Sequence, residues 1–150
     1  ADEIASFLAS QTGRETTRMD VMVAFGQKSY MLAVSEDLKL GLVGFQVENL
    51  ITRVDEFVVR PNALIPPVIS GLINAVEASS RELQSEVGFF FLPQDLPGAL
   101  AQVCAQMGYE RRQLEEIKVP AWREAARESR PPGTLIYAKQ LRKERVLKPL

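Results

Sequence analysis

The spacing of apolar and polar residues changes period several times along the chain, and each change marks an element. In residues 2–10, Ile4, Phe7 and Leu8 recur at helical spacing, with Gly13 as the stop. A second helix is predicted over residues 17–26, from Thr17 as N-cap through Met19, Val21, Met22 and Phe25 to Gly26. Residues 29–35 then switch to strand composition, a turn is predicted at 36–39, and residues 40–48 form a second strand. Residues 51–60 form a third, whose alternation breaks at Asp55-Glu56 and predicts a bulge there. Short strands with turn-sized connections predict an antiparallel meander.

From residue 66 to 85 the apolar stripe Ile69, Leu72, Ile73, Val76 and Leu83 predicts a long helix. Pro66 and Pro67 suit its first turn, where backbone donors have no intrahelical partner. Glu77, Arg81, Glu82 and Glu86 are assigned to its solvated face, with Glu77 and Arg81 as an i,i+4 pair. Residues 87–92 (VGFFFL) are continuously apolar, which predicts a strand buried on both faces. The helix-length connection permits that strand to pair in parallel with the third. A helix over 96–107 ended by Gly108, a strand over 109–118, a short helix over 120–129 and a strand over 134–141 complete the order. The fold class expected is α/β (α+β): a mixed central sheet in which an antiparallel meander is followed by a parallel strand pair, with helices on both faces. The expected organisation is a single domain over 1–150, with a helical part (1–28), antiparallel strands (29–60), a helix-and-strand half (61–141) and a basic tail (142–150).

Composition narrows the function classes. Eighteen Lys and Arg against 19 Asp and Glu leave no basic excess of the kind nucleic-acid binding uses. Lys139, Arg142, Lys143, Arg145 and Lys148 lack interleaved aromatics and are expected to be a solvated terminus. A single cysteine, Cys104, excludes an internal disulfide framework and fits a reducing, cytoplasmic setting. No run of about 18 apolar residues predicts a membrane span. The chain has no histidine, which removes Ser-His and Cys-His triads and His-based metal sites, and no metal is expected. Trp122 and Phe89-Phe90-Phe91 are expected to pack a core or a subunit interface.

Within this order Leu42-Val43-Gly44-Phe45, the strand end Phe57-Val58-Val59-Arg60-Pro61, the helix after it, the apolar strand 87–92 and the run Met107-Gly108-Tyr109-Glu110 follow one another. That succession resembles the GCN5-related N-acetyltransferase (GNAT) superfamily over residues 17–141. The resemblance implies acetyl-CoA or another acyl-CoA as cofactor and a small amine as acceptor. The cofactor would enter where the third strand splays from its parallel neighbour, with the pantetheine arm on the backbone of Phe57, Val58 and Val59. The pyrophosphate would lie at the start of the next helix, beside Leu64, Ile65, Val68 and Ile69.

Two departures from the family pattern are visible. Where its loop carries a basic or amide residue and glycines, this chain has Leu64, Pro67 and Ile69; prolines have no N–H to offer a phosphate. Where the family places a tyrosine acid, four residues before the Gly-aromatic pair, stands Cys104. Cys104 is either the proton donor to the leaving thiolate or a small core residue. For the base, Glu48, Asp55 and Glu56 are the carboxylates assigned nearest the cleft. The function expected is an acyl-CoA-dependent N-acyltransferase; the alternative is a non-catalytic ligand-binding or dimerisation module. A homodimer through residues 134–141 is the expected assembly.

Overall fold

The computed structural model describes residues 28–35 and 38–142. The two N-terminal helices expected from the sequence, part of the 36–39 turn, and residues 143–150 of the basic tail lie outside them. The described elements are β1 (Ser29–Ser35), β2 (Leu38–Glu48), β3 (Ile51–Val59), α1 (Pro66–Glu82), β4 (Val87–Leu92), α2 (Gly98–Gln106), β5 (Glu110–Arg112), α3 (Pro120–Ser129) and β6 (Leu135–Gln140). The strands form one mixed sheet in the order β1-β2-β3-β4-β6-β5, antiparallel except for the parallel pair β3-β4.

The β2-β3 hairpin closes through Asn49 and Leu50, both at positive φ (53° and 67°), the left-handed pair that matches strand twist in a two-residue turn. The hairpin carries the expected bulge. Gly44 pairs with Glu56 and Phe45 with Val54, so Asp55 is the extra residue. Gly44 is required for a separate reason. A Cβ there would meet the Tyr30 ring of β1 at 2.8 Å, so the missing side chain lets Tyr30 lie across β2 toward β3.

Side chains from alternate strand positions make two cores. Val43, Phe45, Val54, Phe90 and Leu92 pack against Ile69, Leu72, Ile73 and Val76 of α1 and Leu100, Val103 and Cys104 of α2. On the opposite face Ile51, Val87, Phe89, Phe91 and Ile136 pack against Ala125 and Ala126 of α3. All six residues of β4 are buried, as its continuous apolar run requires. Helix α1 ends earlier than its apolar stripe suggests. Gln84 turns to φ 60°, Gln84 N–H donates to Arg81 O and Ser85 N–H to Ser80 O, a Schellman cap that leaves Leu83 exposed. Gly108 (φ 96°) ends α2 in the same way, with Gly108 N–H on Ala105 O and Tyr109 N–H on Cys104 O.

Two expectations are corrected, the extent of the fifth strand and the exposure of two helix-face glutamates, and the last strand finds its place in the sheet. The strand predicted over 109–118 shrinks to Glu110–Arg112, because Gln113 and Glu116 close a reciprocal capping box around a 3-10 turn at Leu114–Glu116. Strand β6 is interior, paired along its length with β4 and over Ile136–Ala138 with β5. Glu77 and Glu86 are buried rather than on a solvated face. Glu77 Oε2 accepts the Tyr109 hydroxyl at 2.7 Å and the Lys139 ammonium at 2.8 Å, instead of pairing with Arg81. Glu86 Oε1 accepts the Trp122 indole N–H at 3.2 Å.

A buried hydroxyl cluster joins α1 to the start of the parallel pair. Thr52 Oγ1 lies 2.7 Å from Ser80 Oγ and 2.8 Å from Ser85 Oγ, while Ser80 and Ser85 also donate to carbonyls. Replacing Thr52 by valine keeps the shape but strips both serines of a partner, so Thr52→Val is expected to destabilise the fold by about 1–3 kcal/mol, read from the urea midpoint at unchanged m-value.

Candidate active site

The parallel ladder between β3 and β4 stops early. It runs from Ile51↔Val87 to Val54↔Phe90 and no further, although β3 continues to Val59 and β4 to Leu92. The last rung immediately precedes the Asp55 bulge, which bends the strand that carries it. Beyond it Phe57 of β3 and Phe90 of β4 meet as tilted rings 5.9 Å apart. The two strands therefore form a V, closed at the Thr52 cluster and open toward the start of α1. Backbone N–H and C=O groups on the β4 side of Glu56 to Val59 have no rung from β4, which gives an extended ligand a strand edge to pair with.

At the open end the chain enters α1 through a tight loop. Pro61–Ala63 forms a 3-10 turn, and Leu64 (φ −76°, ψ 64°) is the centre of an inverse γ-turn in which Ile65 N–H donates to Ala63 O at 2.8 Å. Ile65, extended as a residue before proline must be, caps the helix. Its carbonyl accepts both Val68 N–H (3.1 Å) and Ile69 N–H (3.2 Å), while Ala63 and Leu64 N–H donate to Arg60 O and Pro61 O. Pro66 and Pro67 have no N–H. From Ala63 to Ile69 every backbone donor that exists is thus already engaged by a carbonyl of the same segment. Ile69 is fully buried, Leu64 and Val68 are half-buried against the core, and Ile65 is half exposed at the rim.

The carboxylates fall at two different levels of the β2-β3 pair, Glu48 at the hairpin and Asp55 and Glu56 within the strand. Glu48 pairs with Ile51 at the hairpin, about 20 Å of strand rise from Phe57, and takes a hydrogen bond from Gln46 Nε2 at 3.2 Å. It lines a cavity of about 350 Å³ with Glu82 and Leu83, away from the open end of the V. Asp55 and Glu56 sit where the strands part. Glu56 Oε1 accepts Lys28 Nζ at 2.5 Å and the Tyr30 hydroxyl at 3.0 Å. Lys28 Nζ also lies 3.0 Å from Asp55 Oδ1, off any hydrogen-bonding line, so this buried oxygen keeps a charge contact but no hydrogen bond. A cavity of about 160 Å³ straddles the parting strands here, lined by Asp55 and Arg53 of β3, Phe91 of β4, Gln46, Lys28 and Ser129.

The sequence brought Asp55 and Glu56 forward but gave no notice of Lys28, Tyr30 or Arg53. The one available signal was Gly44, a mid-strand glycine of the kind an aromatic side chain crosses. Cys104, by contrast, is fully buried in the core against α1 and β4, where burial pushes its thiol up to about 12. Tyr109 is likewise held neutral by burial and by the Glu77 carboxylate it bonds, its ring stacked on Phe90 at 4.1 Å.

Many solved structures share this architecture. Ard1 from Thermoplasma volcanium superimposes with a TM-score of 0.70 at 11% identity, over 95% of each chain. A GNAT-family acetyltransferase from Staphylococcus aureus gives 0.67 at 12% identity, over 93% of this chain and 89% of that one. The PaiA N-acetyltransferase from Thermoplasma acidophilum, solved with coenzyme A, gives 0.61 at 8% identity, over 92% and 77%. The chain has the GNAT fold. Its mixed sheet, with the parallel pair in the middle and helices on both faces, is the architecture expected from residues 17–141. No protein-family profile and no curated protein sequence matches it. Among the described residues, no helix is long and apolar enough to cross a membrane.

Burial and the Glu56 charge push the Tyr30 hydroxyl up to about 12 from an ordinary 10.0, and burial moves Cys104 from 9.0 to about 12. Burial pulls Lys28 down, but the Glu56 hydrogen bond and Asp55 charge outweigh it and raise it overall. All three groups are held in their protonated form, so the stability they contribute is complete below pH 9 and is lost as pH rises from 9 through 12. Urea midpoints are expected to be flat from pH 7 to about 9 and to fall steadily above it, together with delayed tyrosinate absorbance relative to the unfolded chain.

Proposed function

We propose that this chain is an acyl-thioester-dependent N-acyltransferase, moving an acetyl or other acyl group to a small amine. The observation that carries the reading is the end of the β3-β4 ladder at Val54 and Phe90, which opens a strand edge beside Phe57, Val58 and Val59. The amide groups of a pantetheine arm pair with that edge, and the thioester carbonyl lies against a β3 N–H beyond the bulge. The GNAT-fold neighbours include N-acetyltransferases, and some neighbours were solved with coenzyme A, which supports an acyl-CoA as the donor class.

The acceptor enters from the cavity beside Asp55. Its nitrogen attacks the thioester carbonyl, the new C–N bond forms as the C–S bond breaks, and sulfur leaves as thiolate. The amine proton passes to Asp55, whose Oδ1 is buried beside the cavity without a hydrogen bond. Glu56 acts differently. Bound to Lys28 and Tyr30, it fixes the ammonium that also contacts Asp55. A thiolate with an ordinary pKa near 8.5 leaves without a protein acid, so a core-buried Cys104 is no obstacle.

Asp55→Asn is expected to lower kcat for acetyl transfer by about 10²–10⁴-fold, whereas Glu48→Gln leaves it within about twofold. A screen of small amines with acetyl-CoA and a thiol-release assay provides the measurement, and equal activity of the two variants would refute the assignment. The engaged donors at the start of α1 favour a second reading, a non-catalytic module that binds a ligand in the V. Ligand binding with no thiol release in single-turnover conditions would select it. Homodimerisation and a cytoplasmic location accompany either reading as proposals.

A further inference from the structure

The segment that would receive the donor's diphosphate is closed to it in a specific way. Anion binding at a helix start depends on backbone N–H groups left over after the helix has formed. In α1 the first two positions are Pro66 and Pro67, and the next two N–H groups both point at Ile65 O. The γ-turn uses Ile65 N–H, and the preceding 3-10 turn uses those of Ala63 and Leu64. Charge within the segment does not compensate: residues 61–80 contain no Lys or Arg, and Arg60 Nε donates to Lys39 O of the neighbouring strand. The side chain at the rim is apolar, Ile65 being 50% exposed. The strand edge of the V, meanwhile, carries no rung from β4 beyond Val54.

We infer that donor recognition stops at the pantetheine arm and the acyl group, and that the nucleoside diphosphate of coenzyme A contributes nothing to it. The donor class is therefore an acyl thioester on a pantetheine arm, whether that arm is carried by coenzyme A or by a carrier protein. This inference rests on the acyl-transfer reading above and narrows it. Arm amides make the directional contacts with β3. From Ala63 to Ile69 the chain supplies apolar side chains and backbone donors that are already engaged, against which two charged phosphates would be partly desolvated.

Calorimetric titration of the full chain with S-acetylpantetheine, acetyl-CoA and 3′,5′-ADP tests this, with an acetylated phosphopantetheinyl carrier protein as a separate arm. The two small thioesters are expected to bind within about threefold of each other, and 3′,5′-ADP is expected not to compete. Binding of the carrier protein comparable to that of S-acetylpantetheine also supports the inference, whereas binding of the carrier protein alone places recognition on the carrier's surface and overturns it. Acetyl-CoA binding more than about thirtyfold tighter than S-acetylpantetheine, or displacement by 3′,5′-ADP, overturns the inference while leaving acyl transfer standing. Failure of all three thioesters to bind overturns both. Pro67→Gly restores one N–H at the helix start and is expected to tighten acetyl-CoA by about tenfold without changing S-acetylpantetheine. An unchanged ratio in the folded variant overturns the amide argument.

Discussion

A break in one hydrogen-bonded ladder governs the layout of everything around it. β3 and β4 share four rungs and then part, although both strands continue. The cause is local: Asp55 is an extra residue relative to β2, so the strand that keeps its antiparallel partner bends away from its parallel one. Two groups hold the V in shape. The Thr52, Ser80 and Ser85 hydroxyls lock the closed end to α1, and the Phe57 and Phe90 rings meet just past the last rung. The hydroxyls bring a directional constraint and the rings bring bulk. Either alone would leave the opening angle free.

Polar groups are buried on both faces of this sheet, and each ties sequence-distant elements together. Glu77 joins α1 to Tyr109 after α2 and to Lys139 of β6, and Lys139 also lies 5.3 Å from the centre of the Tyr109 ring. Glu86 joins the start of β4 to Trp122 of α3. Such groups stabilise only while every partner is present, because removing one leaves a desolvated charge. They fix how the helices sit on the sheet more than they add net stability. The Lys28, Tyr30, Asp55 and Glu56 cluster follows the same logic on the surface where the V opens, with one difference. Asp55 Oδ1 is left without a hydrogen bond.

Solved structures only 8–13% identical to this chain share its fold over most of their length, so the layered sheet tolerates nearly complete replacement of its residues. Likeness of fold carries no information on the donor capacity of residues 63–69, where two prolines, a γ-turn and the helix cap remove or engage every N–H. A fold comparison is blind to that property, since it follows the backbone path and not which of its hydrogen-bond donors are free.

Whatever depends on local period, or on residues with a fixed backbone demand, could be read directly from the order of amino acids. The stripe Ile69-Leu72-Ile73-Val76, the doubly buried run of β4, the stop at Gly108 and the irregularity at Asp55-Glu56 were all legible, because each is set by neighbours within a few residues. The proline entry to α1 announced its missing donors in the same way. Partners tens of residues away were not legible. Glu77 looked like a solvated helix residue because its i+4 neighbour is an arginine; only folding brings Tyr109 and Lys139, the latter 62 residues on, to its carboxylate. Glu48 and Glu56 looked equally close to a cleft, yet the register leaves Glu48 at the hairpin and places Glu56 mid-strand, opposite Gly44. The place of β6 between β4 and the three-residue β5 was likewise not legible, because strand order is set by long-range pairing. Periodicity records which side of an element is apolar. Which buried charge meets which partner is decided by strand order and crossover, and those exist only once the sheet has assembled.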